Sequence, residues 1–199
     1  MWKDFKPTIF FLLRFFGVYF AFSFLYGLYI NQYDTAAPPE TDPITRVITY
    51  QCAHTSSLMG YQAEMIENDH KNYESAEEQT YDSLWLNDQY AISIEEGCNG
   101  VNLMILFMAF VVGFGGKVLN MILFIPAGIV FIHLANIGRL MLLSLLNVEW
   151  GGQAFHFFHK YGFTAVIYIA IFLLWYLWVM RFSGKLKSKK AKAIGEKDH

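Results

Sequence analysis

The sequence predicts an all-α integral membrane protein of about four transmembrane helices, with an extracytoplasmic acidic loop between the first and the second. Three observations carry this. The chain is 55% hydrophobic and only 16% charged. Its apolar residues are gathered into long runs rather than spread at a surface-helix period. Most of its lysines and arginines sit beside run ends that four crossings bring to one side.

The first run, Thr8 to Ile30, carries a single charge, Arg14. At about 1.5 Å per residue it spans a hydrocarbon core of roughly 30 Å. It is too long and too aromatic for a cleaved leader, and no small-x-small site follows it, so a retained anchor is expected. Three further runs are Val101 to Gly115, Val118 to Leu146 and Phe163 to Phe182. The first of these is short for a span. The next is long enough to tilt, with a kink expected at Pro126. Gly113-Phe114-Gly115-Gly116-Lys117 has room only for a turn between antiparallel helices.

Lys3 and Lys6 precede the first span and Lys117 lies in the glycine-rich turn. Arg181, Lys185, Lys187, Lys189, Lys190, Lys192 and Lys197 fill the tail. Four spans put all of them on one face, the cytoplasmic one. The segment Asn31 to Cys98 then lies outside, with Arg46 and Lys71 its only basic residues. The net charge of -2 is a cancellation of this acidic loop against the basic tail. Within the loop, Asp42-Pro43 is set to cap a short helix through Thr45 to Cys52. The remainder is expected to be largely helical, although Glu64 to Ile66 gives no clean amphipathic face and Asp82 to Ile94 alternates only weakly.

No internal repeat is present, and Gly113, Gly115 and Gly116 lack the preceding strand of a phosphate loop. His156 and His159 have no carboxylate or thiol at ligand spacing. No metal, no cofactor and no nucleic acid is therefore expected; the lipid bilayer is the evident partner.

Chemistry-bearing residues fall at one depth. Cys98, in Glu95-Glu96-Gly97-Cys98-Asn99-Gly100, opens the second run, where the helix dipole is expected to lower a thiol's pKa. Asn99 and Gly100 are expected to leave room for a substrate backbone. Cys52 is a second thiol that an oxidising compartment would allow to pair with Cys98. Arg139 interrupts an apolar run, and 22 residues of helix from Lys117 rise roughly 33 Å to place it near the outer interface. It suits a fixed cation that stabilises a thiolate or an oxyanion, and Asn136, one turn earlier, shares its face. His156 and His159, just before the last run, are each placed to act as general base and acid to Cys98. His133 lies deeper, and His54 and His70 belong to the loop.

The order Glu96-Gly97-Cys98-Asn99-Gly100, Asn136-Ile137-Gly138-Arg139, His159-Lys160-Tyr161-Gly162-Phe163 resembles the exosortase/archaeosortase family over about residues 93 to 180. The short chain with one preceding span is similar to the small exosortase F type. The resemblance implies an integral membrane cysteine protease or transpeptidase of the cell inner membrane. Such an enzyme cleaves a C-terminal sorting signal of exported, membrane-anchored proteins: a short motif, a transmembrane helix and a basic tail. Carried over by position, it implies Cys98 as nucleophile, Arg139 as stabiliser of oxyanion and thiolate, and a histidine as proton carrier. His159 better matches the distance to Gly162, while His156 has the claim of a preceding Phe. The implied organisation is an N-terminal anchor helix at 1–30, an extracytoplasmic acidic loop at 31–97, an exosortase-like membrane catalytic core at 98–182 and a basic cytoplasmic tail at 183–199. The rival readings are a non-enzymatic scaffold or subunit of a surface export assembly, and a thiol redox protein using Cys52 and Cys98. The identity of the acyl acceptor is not written in the residues.

Overall fold

The computed structural model describes residues 2–36, 40–69, 81–150 and 163–182. Helix α1 covers Trp2–Asp34 and helix α2 Pro43–Leu58. Strands β1 (Ala63–Asp69), β2 (Tyr81–Leu86) and β3 (Gln89–Ser93) follow. A 3-10 turn at Glu96–Cys98 leads into α3 (Val101–Phe114), α4 (Val118–Trp150) and α5 (Phe163–Leu177), the last continued by a π turn at Trp178–Phe182. By length and composition α1 and α4 suffice to cross a membrane; α3 and α5 are shorter apolar helices. The expected turn is present: α3 ends at Phe114, Gly115 takes φ +70° and α4 starts at Val118. Helix α4 runs on through Pro126 as one element.

The described residues divide into two units. One comprises α1 as far as Phe24, Leu103–Ile132 of α3 and α4, and the chain from Tyr168. Small residues let its helices meet closely, as membrane helices require. A Cβ added at Gly113 would lie 2.9 Å from Phe15 Cβ and 3.0 Å from its backbone, and one at Gly128 would meet the Phe107 ring at 2.2 Å. Phe110 stacks on Trp175 at 4.4 Å between centroids, and Phe124 lies 5.1 Å from the fully buried Trp178. Leu13, Phe20, Leu119, Leu123 and Phe172 are exposed, the pattern of a lipid-facing surface.

The other unit comprises Leu25–Asn102 and His133–Ile167. Asp42 caps α2 as its sequence predicts: Oδ1 accepts from the N–H groups of Ile44 (2.9 Å) and Thr45 (3.2 Å), with Pro43 at the first helical position. Beyond α2, the loop differs from the expected helical remainder. It forms an antiparallel sheet in the order β1-β2-β3. Asn87 and Asp88, at φ 51° and 62°, make the two-residue hairpin between β2 and β3, the left-handed pair whose twist suits a hairpin.

Helical periodicity is absent because β2 is buried on both faces, including its polar residues. Asp82, fully buried, accepts from Arg46 Nε at 3.1 Å and from Asn68 N–H at 3.0 Å. Ser83 donates to Asp69, which also accepts from Trp85 Nε1. The core joins Ile48, Cys52, Leu84, Ile92 and Ile94 to Leu140 and Met141 of α4. Polar bonds hold α4 against it: Asn147 Nδ2 donates to Ala91 O (2.7 Å) and Tyr61 Oη to Glu149 Oε1 (2.8 Å). The sheet and α2 thereby fix the stretch of α4 that carries Asn136 and Arg139.

Candidate active site

Cys98 ends the 3-10 turn, its N–H donating to Glu95 O at 2.8 Å. The next residue, Asn99, is fully buried and its side chain is committed in three directions. Nδ2 donates to Tyr26 Oη (2.6 Å) and Thr45 Oγ1 (2.9 Å), and Oδ1 accepts from the Val101 N–H (3.0 Å), capping α3. Helix α1, helix α2 and the start of α3 thus meet on the residue after the thiol.

From α4, Asn136 Nδ2 donates to the Cys98 carbonyl at 2.8 Å. Asn136 is fully buried, and it packs against Gly100, which holds φ +83°. A Cβ there would meet Asn136 Cγ and Nδ2 at 3.3 Å, so this position requires glycine twice over, for its dihedral and for its space. One turn on, the Arg139 guanidinium reaches the Cys98 side chain: a hydrogen bond and its charge both favour the thiolate. Burial acts the other way and prevails, so the thiol lies above its ordinary range, with Glu95 and Glu96 adding to the rise. Glu96 is itself raised, first by burial and then by the nearby Asp34, Asp42 and Glu95.

Two expectations are corrected here. Cys98 precedes the first residue of α3 rather than sitting at its exposed N-terminus, and its thiol is raised rather than lowered. The room expected beside Asn99 and Gly100 is filled by their own contacts; at Gly97 an added Cβ would meet nothing within 4 Å among the described residues. Cys52 and Cys98 are both free thiols. Cys52 is fully buried in the apolar core, and burial pushes its thiol up to about 12.

The structure therefore brings together Cys98, Asn136 and Arg139. His156 and His159 lie outside the described residues, as does His70. His133 is half-buried on α4, and His54 stacks on Tyr50 in α2. Sequence reading missed Tyr26 and Thr45 as supports of the site. Nothing local signals them, since they lie 73 and 54 residues from Asn99. Among the described residues no cluster of His, Cys, Asp and Glu is arranged to hold a metal ion.

The membrane-length apolar helices define a helical membrane protein, in which a thiol, a guanidinium and a carboxamide gather where α3 begins. The chain belongs to the transmembrane exosortase family (Exosortase_EpsH), whose family model matches residues 8–176. That match takes in most of α1, the loop with its sheet, α3, α4 and nearly all of α5. No curated protein and no solved structure matches the chain.

Proposed function

We propose that the protein is a membrane cysteine protease or transpeptidase that cleaves a C-terminal sorting signal from exported proteins through a thioester on Cys98. The observation that carries this is Asn136 of α4 bonded to the peptide of Cys98, with the Arg139 charge one turn on near enough to favour the thiolate. Because burial holds the thiol protonated, the nucleophile needs a base, and His159 takes that role, with His156 as its alternative.

The base removes the thiol proton and sulfur bonds to the substrate carbonyl carbon. Arg139 balances the charge on the tetrahedral oxygen. Collapse breaks the C–N bond as the protonated histidine gives its proton to the leaving amine. The thioester then passes to an amine, a hydroxyl or water. A substrate cut beside its own transmembrane helix presents the bond at the membrane surface. The proposal accordingly has four spans, both termini in the cytoplasm and Cys98 at the extracytoplasmic face of the inner membrane, with the loop 31–97 outside.

The test is processing of a co-expressed membrane-anchored substrate. Cys98→Ala and Cys98→Ser lose processing and keep membrane insertion, and Cys52→Ser retains it. Normal processing by Cys98→Ala removes the enzymatic reading in favour of a scaffold.

A further inference from the structure

Two polar atoms beside Cys98 are buried without a hydrogen-bond partner among the described residues: Asn136 Oδ1, an acceptor, and Arg139 Nε, a donor. Such orphans are rare in folded proteins and call for a partner. The Asn136 amide is not free to turn over, because its other arm must be the NH2 that donates to the Cys98 carbonyl. Full burial and Gly100 at its flank hold it there. Asn136 and Arg139 are three residues apart, so they occupy one face of α4. The molecule thus holds an acceptor and a donor ready-made, one turn apart, next to its nucleophile.

An extended peptide supplies the complement. Each residue of a strand sends its own N–H and C=O to the same side, the pair that a neighbouring strand would take up. We propose that Asn136 Oδ1 and Arg139 Nε form a receptor for the main chain of one extended substrate residue beside the scissile bond, the first accepting its N–H and the second donating to its C=O. The receptor rests on the enzymatic reading above and adds its recognition rule. Substrate is held by backbone rather than by side chain. Substrate binding gives both orphans a partner, which favours the complex over the free protein.

Two alkylating probes of similar size test this on the full chain in lipid nanodiscs. N-acetylglycine chloromethyl ketone carries one residue's N–H and C=O next to the carbon attacked; its ester analogue, with oxygen in place of that N–H, carries the carbonyl alone. Modification of Cys98 is followed by mass spectrometry of its peptide, and each rate is divided by that of N-acetylcysteine. The expected result is a preference for the N–H-bearing ketone of about tenfold, the worth of one well-placed hydrogen bond. Asn136→Ala abolishes the preference, and Arg139→Lys slows both probes alike. Equal normalised rates in the wild-type chain, or an undiminished preference in Asn136→Ala, overturn the receptor. The enzymatic reading is judged separately, by whether a substrate thioester is trapped on Cys98, so the receptor can fail while that reading stands.

Discussion

Gly100→Ala perturbs the site without touching any reacting group. The new methyl group lies 3.3 Å from Asn136 Cγ and Nδ2, closer than ordinary contact, and 3.5 Å from its Cβ. Asn136 is fully buried and bound to the Cys98 carbonyl, so it yields only by giving up that bond. Holding alanine at φ +83° costs about 1–2 kcal/mol, and losing the hydrogen bond a further 0.5–1.5 kcal/mol or about that. The sum is roughly 2–3 kcal/mol of stability, several degrees in thermal midpoint for a chain of this size. If the hydrogen-bond part falls on acylation, processing slows by about two- to tenfold. The assay is a thermal melt in nanodiscs together with substrate processing in cells. Gly97→Ala is the control: among the described residues nothing lies within 4 Å of its Cβ and no positive φ is involved, so its stability stays within about 0.5 kcal/mol of wild type. A Gly100→Ala protein with wild-type midpoint and wild-type processing refutes the geometry from which the site was built.

Arg139→Gln removes the charge that favours the Cys98 thiolate while burial remains. The thiol pKa therefore rises further, and the pH profile of Cys98 alkylation moves to higher pH; an unmoved profile denies the contact. Arg139→Lys keeps a charge without the planar fork and loses most processing, whereas full activity would point to simple screening. Arg46→Met leaves the buried Asp82 carboxylate without its cation and costs about 3 kcal/mol, read by chemical denaturation, and Asp82→Leu in the same chain recovers part of the loss. His159→Ala eliminates turnover while His156→Ala lowers it less than tenfold, under about 1.4 kcal/mol; the reverse ranking transfers the base to His156. On a cysteine-free background, Ser57→Cys and Asp88→Cys, both at exposed positions, label from outside the cell and Lys117→Cys only after permeabilisation. Labelling of Asp88→Cys from the cytoplasm alone overturns the orientation.

The long apolar helices, the turn at Gly115 and the Asp42 cap of α2 were legible because each rests on local rules: length, backbone freedom and side-chain capping. The neighbourhood of Cys98, Asn136 and Arg139 was legible from depth along two runs. The sheet was not. Asp69, Asp82 and Ser83 are polar residues turned inward, so the alternation that marks a half-buried strand is broken where β1 and β2 pair. The thiol's raised pKa was illegible too, because it is set by burial, which depends on packing from distant segments rather than on position at a helix start.

Asn99 has a consequence for how this protein is divided or recombined. Its one side chain reads Tyr26 from the first helix and Thr45 from the loop while starting the helix that follows the thiol. A chimera that exchanges residues before Glu95 for those of a relative therefore exchanges the footing of Cys98 as well. Inheritance of the site is not confined to the three residues around the sulfur. A working graft has to carry a hydroxyl at each of positions 26 and 45, and a shortened version lacking the first helix loses one of them however well the rest inserts.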